Sequence, residues 1–127
     1  MPHRLTRRGA PKSLAPCATA YSGFRVAVLE SATLRVHGVD VVIHTGYWGC
    51  GAFGGNRVLM ALLQVIAARL AGIDRLVFHT GLAGGEVAFA QALAMFDALV
   101  TDQDAEVAAL IEVIHAYGFE WGVSDGN

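Results

Sequence analysis

The sequence has little cysteine, little proline and little charge. Two cysteines, Cys17 and Cys50, in 127 residues are too few for a disulfide framework, and no C-x-x-C spacing occurs. Stapled secreted scaffolds and cysteine-ligated metal sites are therefore excluded, and the setting expected is reducing and cytoplasmic. Three prolines set against 54% hydrophobic residues fit a packed α/β domain and not a disordered chain. A net charge of −2 supplies no general electrostatic reason to bind nucleic acid. Long apolar runs are lacking too. The most apolar stretch, Val58 to Gly72, carries Gln64 and Arg69 and is too short to cross a bilayer, so no membrane association is expected. Met1 to Ala20 starts basic, but Pro11, Lys12 and Pro16 interrupt the apolar core that a signal peptide needs.

Residues 1–23 read as a basic tail carrying Arg4, Arg7, Arg8 and Lys12, and residues 24–127 as the folded portion. Phe24 to Leu29 (F-R-V-A-V-L) reads as a strand, and Val39 to Thr45 (V-D-V-V-I-H-T) as a second one. The second is continuously apolar at its centre, as a strand buried on both faces should be. Gly46 to Gly55 is loop. Asn56 to Ala71 reads as a helix, capped by Asn56 and ended by Gly72. Its polar positions Arg57, Gln64 and Arg69 leave only a thin wet strip, so the helix should be covered on more than one side. Arg75 to Thr80 reads as the next strand, and Glu86 to Val100 and Gln103 to Tyr117 as helices. In the last of these, Val107, Leu110, Ile111 and Ile114 repeat at helical spacing.

A strand, a helix and a strand in this order make a βαβ unit with parallel strands. Both strands run into the same tripeptide, His44-Thr45-Gly46 and His79-Thr80-Gly81. Their C-terminal ends therefore share one sheet edge, where open parallel sheets bind ligands. So few strands leave apolar strand edges open. The chain accordingly reads as the C-terminal part of a larger domain, calling for an N-terminal segment or self-association.

The loop itself is Thr45-Gly46-Tyr47-Trp48-Gly49-Cys50-Gly51-Ala52-Phe53-Gly54-Gly55-Asn56. Its clustered glycines let the backbone adopt positive φ and let a ligand touch the main chain. Successive amides can then form an anion nest, and the following helix adds its positive end. The loop holds no Lys or Arg. Tyr47, Trp48 and Phe53 must pack beneath the loop or against a flat ligand. The simplest alternative is a strand-to-helix turn with no ligand, which would need one or two glycines at most. A second alternative is a dinucleotide (NAD or FAD) site, because Gly49, Gly51 and Gly54 match the G-x-G-x-x-G fingerprint between strand and helix. The acid that should hold the ribose at the end of the next strand is missing; Asp74 precedes that strand. A third is a structural remnant without activity.

The loop and its helix resemble the C-terminal part of the poly(ADP-ribose) glycohydrolases, whose fold is of the macrodomain type. The family pattern is roughly T-G-x-W-G-C-G-x-F-G-G-[DN], followed by L-x-A-L-[IL]-Q-x-x-A-A. The matching residues are Thr45, Gly46, Trp48, Gly49, Cys50, Gly51, Phe53, Gly54, Gly55 and Asn56, then Leu59, Ala61, Leu62, Leu63, Gln64, Ala67 and Ala68. The resemblance implies a partial macrodomain-like three-layer α/β fold with a mainly parallel sheet and C-terminal helices. It implies that Gly49 to Gly55 wrap the diphosphate and distal ribose of ADP-ribose, and the residues expected to bind ADP-ribose or poly(ADP-ribose) run from Gly46 to Asn56, Tyr47 and Ala52 included. The implied reaction is hydrolysis of the ribose–ribose bond, with no cofactor or metal. The family's G-G-G stretch followed by Gln-Glu-Glu has no counterpart before Thr45, and neither does its adenine-stacking tyrosine segment. Glycoside hydrolysis needs a carboxylic acid to protonate the leaving oxygen, so no catalytic residue is assigned.

Three other groups bear on chemistry. Glu86 follows Gly84-Gly85, where a helix start favours its ionised form and suits it poorly as a general acid. His44 and His79 can meet from neighbouring strands, and read as hydrogen-bonded histidines before metal ligands. Cys50 reads as a small packed residue supporting the loop, with a reactive thiol near a helix start as the alternative.

Overall fold

The computed structural model describes residues 14–34, 38, 40–48, 50, 56–81 and 83–100. Five elements run in the order α1 (Leu14–Thr33), β1 (Val42–Thr45), α2 (Arg57–Ala71), β2 (Arg75–Phe78) and α3 (Gly85–Val100). The two strands pair in parallel, with His44 opposite Val77 and Thr45 opposite Phe78. The βαβ unit expected from sequence is therefore present. The helix expected at Gln103 to Tyr117 lies outside the described residues, as do Met1 to Lys12.

The first element differs from expectation. Phe24 to Leu29 is not a strand but the middle of α1, which also takes in residues assigned to the tail. A short apolar run cannot by itself distinguish strand from buried helix. Tertiary packing decides here: Cys17, Ala20 and Phe24 fall on one helical face and are all buried. Pro16 sits in the first turn, where its missing N–H would lack a helical partner anyway. Arg25 Nη1 donates to the Ala71 carbonyl at 3.2 Å, placing a cation on the C-terminal end of α2, where the helix dipole favours it.

Helix α2 is the centre of the molecule. From Leu59 to Ala71 it is buried except at Val65, Arg69 and Leu70, with α1 and α3 both packed against it. Its caps are those read from sequence. Asn56 has an extended backbone, and its side chain accepts from the Leu59 N–H at 3.1 Å. Gly72 takes φ 78°, the left-handed conformation, and its N–H closes on the last turn. Asn56→Ala is expected to cost about 1 kcal/mol through loss of the cap, read as a lowered denaturation midpoint with an unchanged slope.

The sheet has two unlike faces. Ile43, Leu76 and Phe78 pack against the buried cluster around α2, and Thr45 points the same way, to Gln64. On the opposite face β1 is not buried as expected: His44 and His79 are exposed, and Val42 and Val77 are only half-buried. The helices α2 and α3 touch the first face, so the described elements supply two layers of an α/β stack.

Candidate functional site

Strand β1 delivers the chain to the C-terminal edge of the sheet, and the loop starts there. Of the residues assigned to the ligand from sequence, Gly46, Tyr47, Trp48, Cys50 and Asn56 are described; Gly49, Gly51, Ala52, Phe53, Gly54 and Gly55 lie outside the described residues. The root of the loop is held from three directions.

The first hold is Gln64. Its side chain is 1% exposed, which corrects its assignment to a wet strip. Its Oε1 accepts from Thr45 Oγ1 at 2.5 Å, and its Nε2 donates to the Gly46 carbonyl at 2.8 Å. Both ends of a buried amide are thus satisfied, as burial requires. One helix side chain thereby fixes the residue that ends β1 and the residue that opens the loop. The helix pattern of the resemblance contains this glutamine, which is the one signal in the sequence for it.

The second hold is Tyr47. Its hydroxyl donates to the Gly85 carbonyl in the first turn of α3. Its ring stands edge-on to Phe78, with centroids 4.8 Å apart, and Phe78 in turn stacks on Phe89 at 4.8 Å. The Arg57 guanidinium lies 5.9 Å from the centre of the Tyr47 ring, within cation–π range. Burial pushes the Tyr47 hydroxyl above its usual pKa, opposed by the Phe89 backbone and the Arg57 charge. The unfolded chain therefore ionises this tyrosine first as pH rises. Its contribution to stability is full below about pH 10 and is lost above it. Tyr47→Phe should cost about 1 kcal/mol at neutral pH, and the gap between wild type and variant should narrow in denaturation curves taken above pH 10.

The third hold is the turn after the loop's first residues. Trp48 N–H donates to the Gly46 carbonyl at 3.1 Å and Cys50 N–H to the Tyr47 carbonyl at 3.4 Å. Cys50 is 5% exposed, consistent with a packed residue, and its thiol faces the Trp48 carbonyl at 3.5 Å. Trp48 remains 38% exposed, with Phe24 of α1 at a ring distance of 6.3 Å. Its indole thus has an aromatic neighbour on α1 and part of its surface in water.

Close packing also fixes α3 beside this edge. A Cβ on Gly85 would meet the Thr80 carbonyl oxygen at 2.5 Å, a contact that only glycine avoids. Glu86 follows, exposed in the first turn of α3, as a helix-start charge. Asp74 lies at the opposite end of the sheet, where its carboxylate accepts from the Val41 N–H at 2.7 Å. It is therefore remote from where a dinucleotide ribose would need an acid, and the residues that follow β2 there, His79 and Thr80, are not acidic. His44 and His79 meet as expected, with Nδ1 and Nε2 2.9 Å apart. Among the described residues no group of three or more His, Cys, Asp and Glu could hold a metal ion, and no helix is long and apolar enough to cross a membrane.

The family pattern of poly(ADP-ribose) glycohydrolase (PARG), macro domain fold, matches residues 16–84, more than half of the chain. The chain belongs to the poly(ADP-ribose) glycohydrolase family. The match spans α1 through β2, so it includes the helix that the sequence reading had taken for tail and strand. Poly(ADP-ribose) glycohydrolase 1 of Caenorhabditis elegans is 53% identical over 32 residues, which are 25% of this chain and 4% of that protein. The mixed α/β architecture agrees with part of a macro domain fold.

Proposed function

We propose that this chain binds ADP-ribose, free or as the end of its polymer, through the loop from Gly46 to Asn56. The observation that supports the reading most is the pairing of a W-G-C-G-x-F-G-G-N loop with a helix whose start is capped and whose buried Gln64 anchors the loop's first residue. Loop amides and the positive end of α2 neutralise the diphosphate. Asn56 acts in this reading as the cap, since its side-chain oxygen is taken by Leu59 N–H. The half-exposed Trp48 offers a flat apolar surface to a ribose or base. Arg57, the first residue of α2, brings a positive charge to the loop's exit.

The family's reaction cleaves the bond between riboses. The 127 residues contain no Gln-Glu-Glu and no run of three glycines, so the chain by itself is proposed to bind without hydrolysing. Titration calorimetry with ADP-ribose on the full chain is expected to show saturable binding; no heat at millimolar ligand would reject the binding site. Incubation with poly(ADP-ribose) is expected to release no ADP-ribose, and release would overturn the second half of the proposal. NAD serves as the control: clear preference for NAD over ADP-ribose would favour a dinucleotide site instead.

A further inference from the structure

The sheet face turned away from α2 carries a histidine pair that the proposed ligand loop does not use. His44 ends its strand one residue before the last, and His79 follows β2 directly. Parallel register sets His44 beside Val77, so His79 lies diagonally ahead of it on the same face. Both side chains are exposed, and the facing nitrogens, His44 Nδ1 and His79 Nε2, are 2.9 Å apart. The ring centroids are 5.2 Å apart and the planes differ by 24°. Those two distances place the nitrogens between the rings, so the rings meet edge to edge with the two nitrogens facing each other.

We propose that His44 and His79 form a chelating pair for one late divalent transition ion of the nickel, copper and zinc group. Nitrogen ligands bind such ions at about 2.0–2.1 Å, so two ligands at right angles around one ion stand about 2.9 Å apart. That is the separation already present. The hydrogen between the two facing nitrogens moves to the other nitrogen of its own ring, the ion takes its place, and each ring turns about its Cβ–Cγ bond to aim at it, a torsion with a broad, shallow profile. Exposure leaves room for that rotation. Imidazole selects these ions over magnesium and calcium, which take oxygen ligands. Two protein ligands leave the other positions to water or to an anion. The strand framework holds the pair in place: His79 N–H donates to the Thr45 carbonyl at 2.8 Å, tying the two strand ends together before any ion arrives. Because neutral imidazole is the ligand, binding weakens as the solution is acidified.

Calorimetric titration of the full chain with NiCl₂ tests this, with MgCl₂ as the control. One Ni²⁺ per chain is expected and no Mg²⁺. His44→Gln and His79→Gln are each expected to weaken Ni²⁺ binding tenfold or more. A chain with His3, His37 and His115 all changed to Gln should keep its affinity. Unchanged binding in His44→Gln, loss of binding in the triple variant, or no binding by the wild type would each overturn the proposal. Should either single variant fail to fold, paramagnetic broadening of the His44 and His79 ring signals by Ni²⁺ in the wild-type chain decides the matter. Broadening of other histidines with these two left sharp counts against the pair. These outcomes are independent of whether the loop binds ADP-ribose.

Discussion

Gln64→Leu is expected to destabilise the chain by about 1–3 kcal/mol, a drop on the order of 10 °C in melting temperature. The substitution keeps the apolar stem and most of the volume, so lost packing contributes little. The cost comes from the two groups left behind. Thr45 Oγ1 loses its acceptor, and the Gly46 carbonyl loses one of its two donors and keeps the Trp48 N–H, in a place where Gln64 itself is almost fully buried. Unsatisfied buried polar groups cost about 1–3 kcal/mol each. Gln64→Glu separates the two bonds. It keeps an acceptor for Thr45 but turns a carboxylate toward the Gly46 carbonyl, and burial raises the pKa of such a carboxyl. A group whose folded pKa is raised contributes its stability below the unfolded value, near pH 4.3, and loses it as pH rises. Gln64→Glu should therefore be as damaging as Gln64→Leu at pH 7 and recover part of the loss near pH 5, in denaturation curves run side by side. Equal deficits for Glu at both pH values would show that the Gly46 bond contributes nothing. Both variants should also weaken ADP-ribose binding, because the loop's first residue loses its anchor to α2.

Local chemistry made the βαβ unit legible. Asn56 and Gly72 are terminal signals whose mechanism acts within one turn, so the sequence around them suffices. The β-branched run before Thr45 and the short apolar run before Thr80 likewise announced two strands, and the repeated His-Thr-Gly put their ends on one edge. Helix α1 was not legible for the converse reason. F-R-V-A-V-L has strand-forming residues and no helical period within its own length, and Gly23 stands just before it. What makes it helical is Cys17, Ala20 and Phe24 burying against α2, a fact of the tertiary structure. The wider spacing of those three residues was the available sign. Gln64 was misplaced because a lone glutamine among aliphatic residues looks like solvent contact until its two partners, one of them a main-chain carbonyl, are known. At the site, the loop's composition showed which segment meets a ligand. The Tyr47 to Gly85 bond and the Arg57 placement joined residues that are far apart in sequence or hidden in a helix start, and no spacing rule links them.

Leu62→Ala is expected to cost about 2–5 kcal/mol, toward the upper end. Leu62 is fully buried on the helix that α1 and α3 share. Truncation loses the transfer free energy of its methyl groups, and it leaves a cavity unless neighbours move in. Here the neighbours are poorly suited to do so. The cluster contains Cys17, Ala20, Ala61, Ala67, Ala68, Ala71 and Ala92, short side chains with no rotamer that reaches further. Filling the space would require whole helices to shift, and the α1 and α3 contacts with α2 both resist that. Phe24, Leu59, Leu63 and Ile66 are the larger members, and what collapse occurs should come from them. Leu62→Met, which keeps volume, should cost less than about 1.5 kcal/mol. Equilibrium urea denaturation reads both: a lowered midpoint at constant slope marks a loss of native stability. If Leu62→Ala costs no more than Leu62→Met, the alanine-rich interface is loose enough to close on its own, and the close packing of α1, α2 and α3 is not what holds the loop's anchoring helix in place.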